Sequence, residues 1–399
     1  MKKLVMAAAV LGAFAGTAQA QTSVTLYGIA DGDVRFDKTN IGTLKSVDSG
    51  GESGSRWGIR GTEDLGGGLR ANFIFEQGID ITDNSSPQGS IGGGASAGFG
   101  GTSSANHSST GSRLFGRTAT VGLAGPFGEV RFGRGYNPLF LVQATADPFG
   151  AGFVAQTSNL YVNNTIRNDN AIYYDTPKFY GVQLSGVYQL GESTTNNTTT
   201  TQAKRGNDRY GAGLTFANGP IFAGVGYEQI RANLDNYRVR TADADVSYDF
   251  GFIKPMLGYW RTRNDNPAIT GVRLRESVYN AGVTVPFGAW TGLAQFGYLR
   301  DKSTLNSGAN YGTPTVRNYG IGFRYSLSKR TILYAGYSRF NLKGGAQGQA
   351  FSGFSGLADA SNSGLYTAAN LGTGTLTSYG SIITNVNPYS YQFGMRHSF

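Results

Sequence analysis

The sequence predicts an all-β fold, a transmembrane antiparallel barrel of about sixteen strands. Three observations lead to this prediction. Apolar and polar residues alternate with a period of two from residue 24 to residue 399, short turns alternate with long polar links, and the composition is unlike that of a soluble protein. Of the 399 residues only 15% are charged, 13% are aromatic and 61 are glycine. An average soluble domain is about 25% charged.

The pattern of residues 1–20 predicts a signal peptide that is cleaved from the mature chain. Lys2 and Lys3 form a basic start, residues 4–16 are apolar, and Ala18-Gln19-Ala20 supplies the cleavage pattern of small residues. The apolar stretch is too short to cross a bilayer as a helix. We therefore expect a signal peptide at 1–20 and one barrel domain at 21–399. The alternative interpretation is a buried N-terminal helix.

Residues 24–37 show the alternation clearly. The apolar parity holds Val24, Leu26, Ala30, Val34 and Phe36, and the charged parity holds Asp31, Asp33, Arg35 and Asp37. Because successive strand side chains point to opposite faces, one face is apolar and the other is charged. Segments of this kind start near residues 24, 53, 69, 113, 128, 169, 180, 209, 220, 239, 253, 275, 289, 317, 331 and 389.

The connections between these segments fall into two classes. Short turns such as 65–68, 125–128, 176–178, 217–220, 286–288 and 327–330 join hairpins. The links at 81–112, 138–168, 191–208, 302–316 and 342–388 are long and rich in Gly, Ser, Thr and Asn. Short turns at one end and long loops at the other are typical of an outer-membrane barrel.

The direction of the apolar face separates a membrane barrel from a soluble β-sandwich, which also alternates. Tyr, Phe, Trp and Gly crowd the apolar parity near the strand ends, as aromatic girdles do. The low charge argues against a soluble exterior. A barrel of about sixteen strands encloses a water-filled lumen. The regularity continues through the chain, which predicts no second domain.

Composition excludes several chemistries. The chain has no cysteine, and its two histidines, His107 and His397, are far apart, so we expect no metal and no cofactor. No nucleophile, base and orienting group can be assembled with them, so we expect no catalytic residues and no enzyme. Carboxylates at i and i+2, such as Asp243 and Asp245, are interpreted as lumen wall rather than a glycosidase pair. Basic residues alternate with acids, so we expect no nucleic acid as partner.

The last strand carries a candidate assembly signal. Tyr391, Phe393 and Phe399 lie on one parity with other apolar residues, and Gln392 and Arg396 lie on the other. An alternating aromatic strand that ends on phenylalanine resembles the signal read by the barrel assembly machinery of the bacterial outer membrane. An ordinary aromatic girdle strand would have the same pattern.

Several segments resemble the general diffusion porins of Gram-negative bacteria, most closely the β-proteobacterial branch. They are Val24-Thr25-Leu26-Tyr27-Gly28, residues 55–69, Gly128-Glu129-Val130-Arg131-Phe132-Gly133-Arg134, Leu327-Ser328-Lys329-Arg330-Thr331 and His397-Ser398-Phe399. The block at 55–69 (SRWGIRGTEDLGGGL) is the most specific. The resemblance spans the strands but not the details of the long loops.

The resemblance implies a homotrimer of sixteen-stranded barrels, each with a long loop folded into its lumen. By position that loop is 138–168, which contains Asp147. Such porins narrow the pore between the loop and basic side chains on the wall. Arg56, Arg117 and Arg167 occupy the places of the three arginines found in the β-proteobacterial branch.

The alternation adds two residues to this constriction and leaves one uncertain. Arg60 shares the face of Arg56, about 13 Å along the strand at roughly 3.3 Å per residue, and Glu76 belongs to the lumen parity of the next strand. Arg117 shares the parity of the apolar Val121. Either a bulge intervenes, or the outer face of that strand meets a neighbouring subunit.

These observations predict a passive, water-filled channel in the Gram-negative outer membrane. It would conduct ions and small hydrophilic solutes with a modest preference for anions, because fixed arginines attract anions and repel cations. Its expected partners are outer-membrane lipid and lipopolysaccharide. The alternatives are a porin selective for sugars or organic acids, and an outer-membrane enzyme or adhesin barrel.

Overall fold

A computed structural model describes residues 23–38, 43–82, 114–150, 152–161, 165–191, 208–231, 238–265, 272–305, 315–343 and 388–399. The expected signal peptide lies outside the described residues. Within them, no helix is both long enough and apolar enough to cross a membrane. Nearly all described residues belong to strands or to the turns between them.

The strands follow the alternating segments closely. They are β1 (Ser23–Lys38), β2 (Thr43–Ser49), β3 (Arg56–Gly66), β4 (Leu69–Gly78), β5 (Thr118–Gly125), β6 (Gly128–Tyr136), β7 (Arg167–Asp175), β8 (Val182–Gln189), β9 (Arg209–Asn218), β10 (Ile221–Arg231), β11 (Arg238–Tyr248), β12 (Lys254–Asp265), β13 (Val272–Arg273), β14 (Arg275–Phe287), β15 (Trp290–Asp301), β16 (Thr304–Leu305), β17 (Thr315–Ser326), β18 (Thr331–Lys343) and β19 (Tyr389–Ser398). A helix, α1 (Pro138–Thr145), and a 3₁₀ turn (Thr157–Leu160) interrupt the series.

The sheet closes on itself. Each main strand pairs antiparallel with the next, and β1 closes the barrel by pairing with β19 from Ile29–Ser398 to Lys38–Tyr389. The lower part of β1 pairs with β3 and its upper part with β2, so β2 and β3 are two halves of one wall strand. The 17 strands of the sheet therefore form a barrel of sixteen, as predicted. The two-residue strands β13 and β16 pair outside it.

The exterior is apolar and the interior polar, as the alternation predicts. On β11, Ala244 and Val246 are exposed, whereas Asp243, Asp245 and Ser247 are buried inside. Aromatic side chains mark both ends of the exterior. On β14, Tyr279 and Phe287 are both exposed and lie eight residues apart, about 27 Å along the strand at roughly 3.4 Å per residue. This span fits the apolar band of about 25 Å in membrane barrels.

Short turns close one end of the barrel. Between β3 and β4, Gly66, Gly67 and Gly68 have φ angles of 81°, 62° and 81°, a left-handed conformation that favours glycine. The predicted turns between β5 and β6, β9 and β10, and β14 and β15 are also present. Because short turns are periplasmic in this architecture, the long links are extracellular.

The loop after β6 folds into the lumen and packs against one side of it. Helix α1 contacts β8 to β11, and the 3₁₀ turn contacts β15. Asn137 caps α1, with its Oδ1 accepting a hydrogen bond from Leu139 N at 2.9 Å. A buried apolar cluster, called here the lumen core, joins the loop to the wall; it comprises Leu139, Leu160, Tyr161, Trp260, Val278, Leu299, Val316 and Phe340.

Two local features differ from the expected pattern. The second wall strand is broken between Ser49 and Arg56, and β5 begins at Thr118 rather than near residue 113. The break carries residues 50–55, rich in Gly and Ser, which interact with the lumen loop. The alternation of apolar and polar residues does not reveal such a break, because the residues on both sides of the break keep the same alternation.

Candidate functional site

Three of the predicted arginines meet on the wall formed by β3 to β7. Arg117 Nε lies 2.7 Å from Glu76 Oε1, and Arg56 Nε lies 3.4 Å from Glu76 Oε2. Arg117 and Arg167 each donate a hydrogen bond of 2.8 Å to the Tyr136 hydroxyl. The Arg167 guanidinium also lies over the Tyr136 ring, 4.4 Å from its centroid. The site is therefore a compact arginine cluster built around one carboxylate and one phenol.

Arg60 extends this wall toward the short-turn end. Its side chain is exposed, and its guanidinium lies 5.3 Å from the centroid of the Tyr27 ring. Tyr27 in turn donates a hydrogen bond of 3.1 Å to Glu76 Oε2. Glu76 is thus held by Tyr27, Arg56 and Arg117, and Arg60 is the outlying charge of the set.

The direction of Arg117 is explained by where β5 begins. Arg117 precedes the first strand residue, and its N–H donates a hydrogen bond of 3.1 Å to the Glu76 carbonyl oxygen. Phe115, two residues earlier, has a φ of 56°. Because the alternation begins only at Thr118, Arg117 turns into the lumen although Val121 faces outward. Neither a bulge within the strand nor a contact with a neighbouring subunit is needed to explain the direction of Arg117.

Asp147 shapes the lumen loop from within. Its Oδ1 accepts a hydrogen bond of 2.8 Å from Phe149 N, and its Oδ2 accepts one of 3.0 Å from Thr157 N. The carboxylate is 5% exposed, so the loop itself encloses it. That Asp147 opposes the arginines across the pore stays a prediction.

A buried glutamate that the sequence analysis did not single out holds both ends of the lumen loop. Glu228 on β10 is fully buried, and its Oε1 accepts a hydrogen bond of 2.7 Å from Asn137 Nδ2 at the start of the loop. Thr165 and Asn168, at the far end of the loop, also approach this carboxylate. The parity of β10 places Glu228 on the lumen face, but no sequence signal identifies a partner 91 residues away.

The tip of the loop is fastened to the broken wall strand. Phe153 N donates a hydrogen bond of 2.6 Å to the Gly51 carbonyl oxygen. The chains are so close that a Cβ on Gly152 would lie 1.8 Å from the Glu52 carbonyl oxygen. Only glycine fits at that position.

Glu52 adds ionic contacts to the same attachment. Its Oε1 lies 2.5 Å from Arg324 Nε on β17 and 3.4 Å from Arg396 Nη1 on β19. Its backbone N–H and that of Ser53 donate to Asp31 Oδ2 on β1 at 3.1 and 2.6 Å. We call residues 50–55 with these partners the loop latch.

Tyr161 connects the loop to the lumen core. Its ring stacks on Trp260, with centroids 4.3 Å apart and planes 4° from parallel, and its hydroxyl donates to Asn280 Oδ1 at 3.3 Å. Burial raises the pKa of the Tyr161 phenol well above its usual value, and Asp243, Asp245 and Asp147 add to the shift. The phenol therefore stays neutral.

The residues of the predicted assembly signal face outward. Tyr391, Phe393 and Phe399 are 43%, 53% and 52% exposed. Phe399 exchanges two backbone hydrogen bonds, of 3.1 and 3.0 Å, with Gly28 of β1. These positions agree with a surface signal, and recognition by the assembly machinery stays a prediction. Within the described part of the chain, no group of three or more His, Cys, Asp or Glu side chains is arranged to hold a metal ion.

A closed barrel with an apolar exterior, a loop inside it and a charged wall beside that loop defines a membrane channel. The chain belongs to the Gram-negative porin family, whose model matches residues 7–345. It is 33% identical to an outer membrane porin protein of Bordetella pertussis, over 84% of this chain and 93% of that protein. It is also 33% identical to the outer membrane porin protein 32 of Delftia acidovorans, over 84% and 88%.

The solved structures agree in fold. A structure described as an anion-selective porin from Comamonas acidovorans matches with a TM-score of 0.69 and 24% identity, over 95% of this chain and all of that one. OmpT of Vibrio cholerae, in a trimer form, matches with a TM-score of 0.58 and 13% identity, over 95% of this chain and 99% of that one. The predicted family, fold and outer-membrane location are confirmed, and the protein is a passive porin channel.

Proposed function

We propose that this porin conducts small hydrophilic solutes with a modest preference for anions, and that Arg56, Arg117 and Arg167 set that preference. The observation that carries the proposal is the charge imbalance of the cluster: Arg56 and Arg117 pair with the one carboxylate of Glu76, and Arg167 joins them through the uncharged Tyr136 hydroxyl. Arginine keeps its charge at any physiological pH. A fixed excess of positive charge raises the local concentration of anions and repels cations.

The position of the lumen loop supports the proposal. The loop packs against the inner faces of β8 to β18 through α1 and the lumen core, and the loop latch attaches its tip to the break between β2 and β3. The wall from β3 to β7, where the arginines lie, contributes no residue to the lumen core, and we expect solutes to pass along that wall. The related structure from Comamonas acidovorans is described as anion-selective, which agrees with this assignment.

Reversal potential in a planar bilayer under a tenfold potassium chloride gradient tests the proposal. We expect the sign of the reversal potential to correspond to a preference for chloride over potassium. The magnitude of this preference should decrease as salt rises, because the screening length is about 10 Å at 0.1 M and about 3 Å at 1 M. A cation-selective reversal potential at low salt would refute the anion preference. Absence of any conductance would refute the channel itself.

We also propose that the chain catalyses no reaction; its membership of a porin family and its relatives named as porins support a channel rather than an enzyme. A porin selective for organic acids remains the second candidate, because Arg117 and Arg167 converge on one point and guanidinium groups bind carboxylates well. Blockage of chloride current by millimolar dicarboxylate, and not by a neutral sugar, would favour that candidate.

The remaining proposals concern assembly. We propose a signal peptide at 1–20, a homotrimer, recognition of the last strand by the barrel assembly machinery, and contact with lipopolysaccharide. The trimer form of the related Vibrio cholerae protein supports the second of these. Light scattering in mild detergent tests it, because a protein mass of one chain would contradict a trimer.

A further inference from the structure

Two aspartates on the inner face of β11 lie close together without a counter-charge. Asp243 and Asp245 are 3% and 5% exposed, and their carboxyl groups approach within hydrogen-bonding distance of each other. Neither forms an ion pair with an arginine or a lysine of the described chain, whereas Glu76 elsewhere on the wall pairs with Arg117 at 2.7 Å. An unpaired buried carboxylate is costly. Two of them in contact require a positive charge between them, either a proton or a metal ion.

Several oxygen atoms at this place have no hydrogen bond to the described part of the protein. They are both carboxylate oxygens of Asp243, Oδ2 of Asp245 and the hydroxyl of Ser247, which follows on the same face of β11 and is 2% exposed. Buried polar groups are nearly always hydrogen-bonded. A row of unpaired oxygens on one face of one strand therefore indicates a ligand.

The lumen loop adds an unpaired amide from the opposite side. Gln143 on α1 is 2% exposed, and neither its Oε1 nor its Nε2 has a hydrogen bond to any residue that the structure describes. The chain that follows α1 brings Asp147 within electrostatic range of Asp245. The side chain of Gln143 is therefore a second sign of a ligand, independent of the two aspartates because it belongs to a different element.

The packing of α1 places this amide over the aspartates. Leu139 lies on Gly226, where a Cβ would be 2.7 Å from Leu139 Cδ1. Gly226 is in register with Asp243 across β10 and β11. Gln143 follows Leu139 by about one helical turn and lies on the same face of α1, which contacts β11. The amide of Gln143 thus covers the part of β11 that carries Asp243 and Asp245.

A glycine on the next strand leaves room for the carboxyl groups. Gly258 is in register with Asp245 across β11 and β12. A Cβ on Gly258 would lie 2.1 Å from Asp245 Oδ1 and 2.5 Å from Asn280 Oδ1. Any larger residue would displace the carboxylate, and the Asn280 amide is a neutral oxygen beside the pair.

We propose that Asp243, Asp245 and Gln143 bind a calcium ion between the lumen loop and the barrel wall. Calcium takes roughly six to eight oxygen ligands at about 2.3–2.6 Å in a flexible geometry, and two carboxylates balance its charge. Magnesium keeps several waters and demands a near-ideal octahedron, which suits a buried site less well. The expectation of no metal rested on cysteine and histidine, and calcium uses neither. The ion would join α1 to β11 and restrain the lumen loop.

Terbium luminescence of the purified full-length protein in detergent tests this assignment. Terbium replaces calcium at oxygen sites and emits when a tryptophan beside it is excited. Trp260 is directly opposite Asp243 in the register of β11 and β12, so an ion held by Asp243 lies close to an indole. The probes are terbium chloride alone and its displacement by calcium, magnesium and potassium chloride.

The variants separate the site from general loss of charge. The site variant carries Asp243→Asn and Asp245→Asn. The matched control carries Glu63→Gln and Asp249→Asn, two exposed carboxylates near the short turns. Gln143→Met removes only the amide of the loop at a similar volume, and it decides the matter if the site variant does not fold. Circular dichroism and single-channel conductance show whether each variant forms an open barrel.

We expect sensitised emission that saturates at one terbium ion per chain and is displaced by calcium at lower concentration than by magnesium or potassium. The site variant should lose this emission, and the control should keep it. Gln143→Met should weaken calcium binding about tenfold, the change expected when one polar ligand of a charged group is removed. Trp260→Phe should abolish the emission.

Three results would overturn the calcium site. Without saturable emission in the unmodified chain, the aspartates would share a proton and bind no metal. Emission that survives in the site variant or in Trp260→Phe would place the ion elsewhere, and so would unchanged affinity in Gln143→Met. Displacement by magnesium or potassium as effective as that by calcium would contradict the choice of ion. The chloride preference of the unmodified chain is measured separately and tests the proposed function alone.

Discussion

Arg117 and Glu76 form an ion pair of 2.7 Å although one precedes β5 and the other lies on β4, and both side chains are almost fully buried. Breaking a buried pair by removal of one partner is usually costly, because the other charge stays buried without compensation. The pair therefore fixes the shape of the arginine cluster as well as its charge.

Replacing Arg56 and Arg117 together with serine should shift permeability from anions toward cations. The change removes two of three positive charges and leaves Glu76 and Arg167, so the local net charge falls to about zero. Reversal potential at low salt measures the shift. Adding Glu76→Gln to the double variant should restore part of the anion preference. An unchanged reversal potential in the double variant would show that these arginines do not set selectivity.

Glu52→Gln should loosen the tip of the lumen loop. The substitution removes the charge that holds Arg324 and Arg396, whose ion pairs with Glu52 measure 2.5 and 3.4 Å. A hydrogen bond to a charged group contributes about 2 kcal/mol. We expect more open-channel current noise and a lower unfolding temperature than for Glu63→Gln, an exposed glutamate near the short turns. Equal noise in both variants would show that the loop latch does not restrain the loop.

Glu228→Ala should destabilise the protein more than Glu228→Gln. Alanine leaves the buried amide of Asn137 without its acceptor, and an unsatisfied buried polar group costs about 1–3 kcal/mol. Glutamine keeps an oxygen for the bond of 2.7 Å from Asn137 Nδ2. Thermal unfolding in detergent, followed by circular dichroism, compares the two. If both variants lose the same stability, the charge of Glu228 and not its hydrogen bond holds the loop.

The barrel could be predicted from the sequence because the physical rules behind it act within single strands and turns. Inward and outward residues alternate along each strand, and turn length distinguishes the two ends, so strand starts such as those of β4, β6 and β19 could be predicted within a residue. The direction of Arg56 and Glu76 followed from the same rule. Arg117 could not be assigned, because it lies before the first residue that obeys the rule.

The attachments of the lumen loop could not be predicted for a different reason. Glu228 and Asn137 are 91 residues apart, and Glu52 and Arg324 are 272 residues apart. Neither pair belongs to a periodic pattern, and each forms only when closure of the sheet brings distant strands to the same side of the lumen. The role of Glu52 was further hidden by the break between β2 and β3.

Trp260→Ala should cost about 3–5 kcal/mol of unfolding free energy, the range for deleting a large buried aromatic side chain. Trp260 is fully buried in the lumen core, where Tyr161 stacks on it. Leu257→Ala, on the same strand but 57% exposed on the outer face, is the matched control and should cost little in detergent. Equal losses of unfolding free energy in the two variants would show that the lumen core stabilises the protein no more than the outer face does.

Cysteine labelling checks the orientation of the barrel in the membrane. The chain has no native cysteine, so each introduced thiol is the sole target. Lys302→Cys, exposed after β15 at the long-link end, should react on intact cells with a maleimide too large to pass the pore. Lys329→Cys, in the short turn before β18, should react only after the outer membrane is permeabilised. Labelling of Lys329→Cys on intact cells would reverse the topology.

The lumen core gives the two sides of the interior different freedom to change over evolution. Residues such as Val278 and Leu299 pack without water, so a substitution there alters volume and must be compensated by a neighbour. On the arginine wall Arg60 is exposed, so a change of its charge leaves the packing intact. A porin of this design can therefore change its solute preference through independent substitutions at such exposed charges, while its loop-bearing side changes only through coordinated ones.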